Sequence, residues 1–197
     1  MITVRIVCEG YLRRENGIVL EAHSTSALVT SGRLLVLVDT SSREQRPRLL
    51  EGLRALDIEP NDIEVVVNTH LHHDHVGNND LFPRALKLAR REEGPGPESE
   101  AVGEDRVLGP GVRLLHTPGH TRGSMSVVVE ADDARYVIAG DALPTRDNYE
   151  RWVPPGINYD ADTALRSMRR IVDEAEMVVP GHGAPFPVVR FSGRLER

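Results

Sequence analysis

Four short runs near the start of the chain, residues 2–8, 18–22, 26–31 and 33–38, are rich in Val, Ile, Leu and Thr. Turn signals at Asn16-Gly17 and Ser31-Gly32 punctuate them. Apolar runs of this length between turns predict strands. The period then changes. Leu49, Leu50, Leu53 and Leu56 recur at helical spacing, so residues 43–56 are expected to form a helix, with Ser41 or Ser42 as its cap. Residues 63–68, IEVVVN, form a continuous apolar run, as in a strand covered on both faces. Another strand is expected at 84–89, and then a loop over 90–106, which is rich in Gly, Pro and Glu and has no period. Strands resume at 112–116, 124–130 and 135–139. An irregular segment at 142–160 precedes an amphipathic helix at 161–174, built on Leu165, Met168, Ile171 and Val172, and a last strand at 177–179. Each half therefore reads as strands followed by one helix. That pattern predicts an α/β fold in which two packed sheets are flanked by helices, in a single domain over 1–197.

Composition narrows the classes of function. A formal charge of −6 offers no general attraction to nucleic acid or anionic membranes. No apolar stretch is long enough to span a bilayer, and MITVRIVCEG reads as a strand rather than a signal peptide. The single cysteine, Cys8, lies in a strand pattern. It excludes an intrachain disulfide framework and suits a buried thiol in a reducing cytoplasm.

The chemistry concentrates in the histidines. Of eight, four fall between His70 and His75, directly after the apolar run 63–68. Imidazoles are seldom crowded unless something binds them. His70 and His72, two apart on extended backbone, would point the same way and could share one metal ion. Asp74 and His75 follow where the chain turns toward Val76-Gly77 and could take a second. His73 alternates away and is not expected to be a ligand. His120 in TPGHT, Asp141 in AGDA and His182 in PGHG each follow a predicted strand, where a loop can present them rigidly.

THLHHDH at 69–75, followed in order by His120, Asp141 and His182, resembles the full metal signature of the metallo-β-lactamase superfamily. That resemblance implies an αββα four-layer sandwich with the site at one edge of the sheets. It also implies that His70, His72 and His120 hold one metal, that Asp74, His75 and His182 hold the other, and that Asp141 bridges them. Shorter runs (LVDT at 37–40, GNNDLFP at 77–83, LGPGV at 108–112, TPGHTRGSMSVVV at 117–129 and VVPGHGAPF at 178–186) are similar to the metallo-β-lactamase domain-containing protein 1 family. That family has been linked both to hydrolysis and to RNA 3′-end processing. Departures from other branches are informative. The sequence ends soon after His182, without the helical C-terminal domain of the glyoxalase II pattern. Asp141 sits where true β-lactamases lack an aspartate, and no tyrosine follows it as it does in quorum-sensing lactonases.

The expectation is a two-metal hydrolase, with zinc as the first candidate and iron or manganese compatible with the same donors. A water activated between the metals, oriented by Asp74, would attack a small ester, thioester, lactone or amide. An RNA phosphodiesterase and a mono-iron persulfide dioxygenase are the alternatives. The expected partner is a small molecule, not nucleic acid or a membrane, and a homodimer is allowed. Asp39, at the end of the 33–38 run, is placed to orient a ligand histidine or to cap a turn. His23 and His116 are read as hydrogen-bonding or packing residues. Six acids between 90 and 106 (Glu92, Glu93, Glu98, Glu100, Glu104 and Asp105) read as a solvated loop that would repel a polyanion if it bordered the site. Tyr149, Trp152 and Tyr159 could form a substrate wall or anchor the core.

Overall fold

The computed structural model describes residues 1–189; residues 190–197 of the expected domain lie outside the described residues. Two six-stranded sheets pack face to face. The first contains β1 (Ile2–Cys8), β4 (Ser26–Ser31), β5 (Leu34–Val38), β6 (Val65–Val67), β7 (Leu86–Arg90) and β8 (Ser99–Val102), in the order β1-β4-β5-β6-β7-β8. The second contains β9 (Val107–Gly109), β10 (Val112–His116), β11 (Met125–Glu130), β12 (Arg135–Gly140), β13 (Met177–Pro180) and β14 (Phe186–Pro187), in the order β14-β13-β12-β11-β10-β9. A separate hairpin, β2 (Tyr11–Glu15) and β3 (Ile18–His23), stands beside them.

The period-2 pattern explains the layering. Ala27, Val29, Val36, Val38 and Val67 face inward and meet Leu114, Met125, Val127, Val129 and Ile138 of the other sheet. Their alternates face out. Leu28, Leu37 and Val66 pack under α1 (Arg46–Arg54) through Leu49 and Leu53. Leu115, Val128, Val137 and Val178 pack under α4 (Ala161–Glu174) through Met168, Ile171 and Val172. Both faces of each central strand are thus apolar, which is why IEVVVN and YVIAG read as continuous runs rather than alternating ones. The result is the expected αββα sandwich. No helix among the described residues is long and apolar enough to cross a membrane.

Four details differ from the expectation. Residues 11–15, YLRRE, form β2; the strand is mostly exposed, so no buried face imprints an apolar alternation on it. The 90–106 segment is not all loop. It contains a single-turn helix at Arg91–Glu93 and β8, an edge strand paired in parallel with β7 alone, whose SEAV is too short and polar to show a period. The irregular 142–160 segment holds α3 (Arg146–Arg151), capped by Thr145. Strand 63–68 contracts to Val65–Val67; Asn68 N–H still reaches the Leu88 carbonyl of β7, and Thr69 N–H turns away to the Asp39 carboxylate.

Topology sets the position of the site. β5 and β6 run parallel, as do β12 and β13, while β10 and β12 are each antiparallel to the β11 between them. The loops after β5, β6, β10, β12 and β13 carry Asp39, His70–His75, His120, Asp141 and His182, and they emerge at one edge of the sandwich. The carboxyl ends of parallel-running strands are where open α/β sheets place ligands. Two backbone bonds lock the halves together there: Met125 N–H to the Thr69 carbonyl at 2.8 Å, and Thr25 N–H to the Gly181 carbonyl at 2.7 Å.

Candidate metal centre

The irregular backbone after β6 brings His70 and His72 to one point with His120, and then turns into the four-residue helix α2 (His73–Val76), which carries Asp74 and His75. His70 and His72 converge as expected, but not through an extended strand, since β6 has already ended and His72 caps α2. Three groups of donor atoms could hold a metal ion: His70, His72 and His120; His70, His75 and Asp141; and Asp74, His75 and His182. All seven residues singled out in the sequence fall in these groups. His73 lines the neighbouring cavity but belongs to none of them.

Asp141 lies between the two sides. Its Oδ1 is 3.1 Å from His182 Nε2 and 3.3 Å from His75 Nε2, and its Oδ2 is 3.6 Å from His120 Nε2. Two glycines make the close approach possible. A Cβ on Gly181 would overlap Asp141 Oδ1. A Cβ on Gly119 would run into the backbone of Ala164, and its φ of +137° is itself open only to glycine.

The outward ring nitrogens are pinned. His75 Nδ1 donates to Asp39 Oδ2 at 2.7 Å, His120 Nδ1 to the Ile157 carbonyl at 2.7 Å, and His182 Nδ1 to the His23 carbonyl at 2.9 Å. Asp39, 2% exposed, also accepts from the Thr69 N–H and the Thr69 hydroxyl, each at 2.8 Å. That hydroxyl in turn accepts from His70 Nδ1 at 3.2 Å. With its Nδ1 proton directed outward, a neutral ring at each of these four positions presents a bare Nε2 lone pair inward.

Those lone pairs test whether the site fits a metal. His120 Nε2 lies 3.2 Å from His70 Nε2 and 3.0 Å from His72 Nδ1. Neutral His70 and His120 in these tautomers have no proton to share between their facing Nε2 atoms, so that contact is repulsive unless a cation lies between them. His75 Nε2 and Asp141 Oδ1 are buried and make no hydrogen bond. Unpaired buried polar atoms are costly, and donors converging in this way suit a divalent ion.

Titration behaviour follows from the same geometry. Burial, and next the nearby His75, hold His70 well below the ordinary imidazole range. His72 is lowered by burial and then by His120. Burial also opposes charge on His75, but Asp39 and Asp141 outweigh it and raise His75 well above that range. His182 is raised in the same way, with Asp141 overcoming burial. For Asp141 burial opposes ionisation, yet His182 and His75 hold it well below the usual carboxylate range. His75 and His182 therefore favour the protonated form beside Asp141, while His70 and His72 favour the neutral one.

The other singled-out residues resolve plainly. His23 donates to or accepts from Ser42 Oγ at 2.5 Å, and His116 Nε2 bonds the Arg122 carbonyl at 3.0 Å; neither joins a donor group. Tyr149 and Trp152 pack with the α4 core, so they anchor rather than wall the site. Tyr159 lies under the Arg122 guanidinium, 4.9 Å from its ring centre. A cavity of about 480 Å³ opens onto His72, Asp74, His120, Asp141 and His182. Its far wall is Leu12, Val19, Leu20 and Ala22 of the hairpin, with Pro155 and Ile157 opposite. None of the six acids of 90–106 lines it. Glu93 was missed as a functional residue. Its Oε2 accepts from Leu71 N–H at 3.1 Å and its Oε1 from Gly123 N–H at 2.9 Å, tying the two ligand-bearing loops together. No sequence signal separated it from its acidic neighbours.

A sandwich of this topology, with seven donors at one edge, defines the chain as a metallo-hydrolase of the metallo-β-lactamase superfamily: the family model described as "Metallo-beta-lactamase superfamily" matches residues 20–182. The chain is 37% identical over 181 residues to a probable metallo-hydrolase of Methanocaldococcus jannaschii, covering 92% of this chain and 87% of that protein. It is 38% identical over 174 residues to mouse metallo-β-lactamase domain-containing protein 1, covering 85% of this chain and 66% of that protein. It is 30% identical over 158 residues to an N-acyl homoserine lactonase of a Bacillus species, covering 70% and 63%. A solved protein from Thermotoga maritima shares the fold with a TM-score of 0.80 at 22% identity, covering 94% of this chain and 99% of that one.

Proposed function

We propose that this protein hydrolyses a small acyl substrate (an ester, thioester, lactone or amide) with two divalent cations, zinc first among them. His70, His72 and His120 would hold one and Asp74, His75 and His182 the other, with Asp141 shared between them. The observation that carries this reading is Asp141, which turns one oxygen to each side while its buried Oδ1 has no hydrogen bond. Cations bound there would supply hydroxide at neutral pH and polarise the carbonyl under attack. The protein does the positioning. Asp39 and the Ile157 and His23 carbonyls fix ring tautomers and orientations, which sharpens a site's affinity and geometry. Asp74 Oδ2, 3.7 Å from His75 Nε2 and 3.8 Å from His182 Nε2, borders the cavity and serves to orient the attacking water. The hairpin and Ile157 offer the substrate an apolar wall that excludes water beside the scissile bond.

The size of the cavity favours a small molecule over RNA, and so does the distribution of arginines. Polyanion binding rests on an array of basic contacts. Arg113, Arg146, Arg151 and Arg170 are instead paired with Glu174, Glu150, Asp147 and Asp105. Arg122 and Arg169 lie over Tyr159 and Trp152. A mono-iron dioxygenase reading would leave half of the donor set without a role. The single buried thiol, Cys8, fits a reducing cytoplasm as the working compartment. The test is hydrolysis by the metal-loaded protein of a thioester and lactone panel, beside cleavage of single-stranded RNA at physiological salt. Acyl turnover is expected. RNA cleavage with a steep salt dependence and no acyl turnover overturns the reading.

A further inference from the structure

The cavity beside the donor cluster contains one side-chain cation that the metal chemistry does not use. Among the described residues, Arg14 is the only arginine or lysine in its lining. The other charged residue that the hairpin contributes, Glu21, is engaged by Arg13 at 3.1 Å. Among the described residues Arg14 has no carboxylate within ion-pairing distance. The local backbone places it there. Along β2 and β3 the pairs run Tyr11–His23, Leu12–Ala22 and Arg13–Glu21, and then shift register so that Arg14 stands opposite Val19. Leu12 and Arg14 share one face of β2 by alternation, and the extra residue on the partner strand, Leu20, brings Val19 opposite Arg14. Leu12, Arg14, Val19 and Ala22 therefore line the cavity together, with Glu21 also in the lining and Arg13 outside it. Across the cavity the guanidinium rests over Gly156, where a Cβ would stand 3.1 Å from Nη1. A side chain at 156 would crowd that position. Gly156 immediately precedes Ile157, whose carbonyl holds His120, so the guanidinium lies on the same loop that orients a donor.

We infer that Arg14 is an anion subsite, and that the substrate is an acyl compound carrying one carboxylate at the end remote from the bond that is cut. The inference rests on the acyl-hydrolase reading and refines it. A guanidinium presents a planar fork that takes a carboxylate through two parallel bonds. One unpaired cation, in a hairpin wall whose other lining charge, Glu21, is taken up by Arg13, matches one negative charge, whereas a doubly charged phosphate or a polyanion asks for several. The hairpin and Ile157 would cover the carbon chain between the two ends, with Asp74 and Asp141 at the cut end.

The test uses two esters of equal length that differ only at the remote end: 4-nitrophenyl hexanoate and the 4-nitrophenyl monoester of adipic acid. The readout is the ratio of their kcat/KM values in zinc-loaded protein. Wild type is expected to prefer the adipate ester. Arg14→Gln is expected to lower the adipate-to-hexanoate ratio by about tenfold, the size of a charge-assisted contact discounted for solvent exposure. The loss should fall mainly on KM, and Arg14→Lys should restore part of the ratio. An unchanged ratio in Arg14→Gln overturns the inference, and so does equal preference in wild type. A binding measurement separates this inference from the hydrolase reading. Free adipate should bind zinc-loaded wild type more tightly than hexanoate, and Arg14→Gln should abolish the difference. Selective binding without ester turnover would count against hydrolysis alone, while turnover without selectivity would count against Arg14 alone.

Discussion

Asp39→Asn probes the support of the metal site with little change in shape. Asp39 has a φ of +56°, a left-handed conformation that asparagine tolerates, so the backbone can stay in place. The carboxylate accepts three hydrogen bonds at 2.7–2.8 Å, from Thr69 N–H, the Thr69 hydroxyl and His75 Nδ1–H. An amide has one acceptor oxygen where these donors need two. If its nitrogen faces Thr69 N–H, two donors clash. If it faces His75, the ring must give up its Nδ1 proton and carry one on Nε2, the atom aimed into the donor cluster. Either arrangement loses a hydrogen bond to a charged, buried acceptor, worth about 1.5–3 kcal/mol. At ~1.4 kcal/mol per factor of ten, the zinc affinity should fall by roughly 10- to 100-fold. The Thr69 hydroxyl relays Asp39 to His70, so both sides of the site should weaken, not only the side holding His75. Competition against a chromophoric chelator measures the affinities, and turnover at saturating zinc should recover in large part. Wild-type affinity in the variant would refute the assignment of Asp39 as the organiser of the site.

Other outcomes follow from the same geometry. Asp141→Ala should weaken both metal sites together, because its two oxygens face opposite sides; loss of one ion with normal retention of the other, read by elemental analysis, would show that it does not bridge. Glu93→Ala removes its two bonds to the ligand loops and should lower zinc affinity roughly tenfold, chiefly on the side of His70, His72 and His120, because the loops that aim those ligands lose a shared support. Zinc must displace the protons that His75 and His182 hold above the ordinary imidazole range, so apparent affinity should rise with pH through and beyond that range. Calorimetry in buffers of different ionisation enthalpy should detect the released protons.

The layers of the fold were readable where burial imposes a period. Val127 and Val129 against Val128, or Leu49 and Leu53 on their helix, carry their orientation in the order of side chains. The hairpin strand Tyr11–Glu15 and the edge strand Ser99–Val102 were not readable, because their backbone bonds form without a buried face to select apolar residues. The donor residues could be found because seven chemically costly groups in one order have no packing explanation. Their supporting partners divide by type. Asp39 could be suspected from its place after β5, whereas Glu93 acts on backbone N–H groups of remote loops, a relation that only the tertiary structure creates. The cavity wall was missed for a similar reason. The sequence drew attention to Tyr149, Trp152 and Tyr159, but none of them lines the cavity, and the wall is built from ordinary aliphatics on the hairpin and from Ile157.

The central claim is that one chain gathers two cations about Asp141. Elemental analysis of the protein after equilibration with zinc and removal of the unbound ion tests it most directly. The account predicts about two zinc ions per chain, the stoichiometry of a paired-metal hydrolase, falling together in Asp141→Ala. A wild-type stoichiometry of one ion or none under saturating conditions would contradict it.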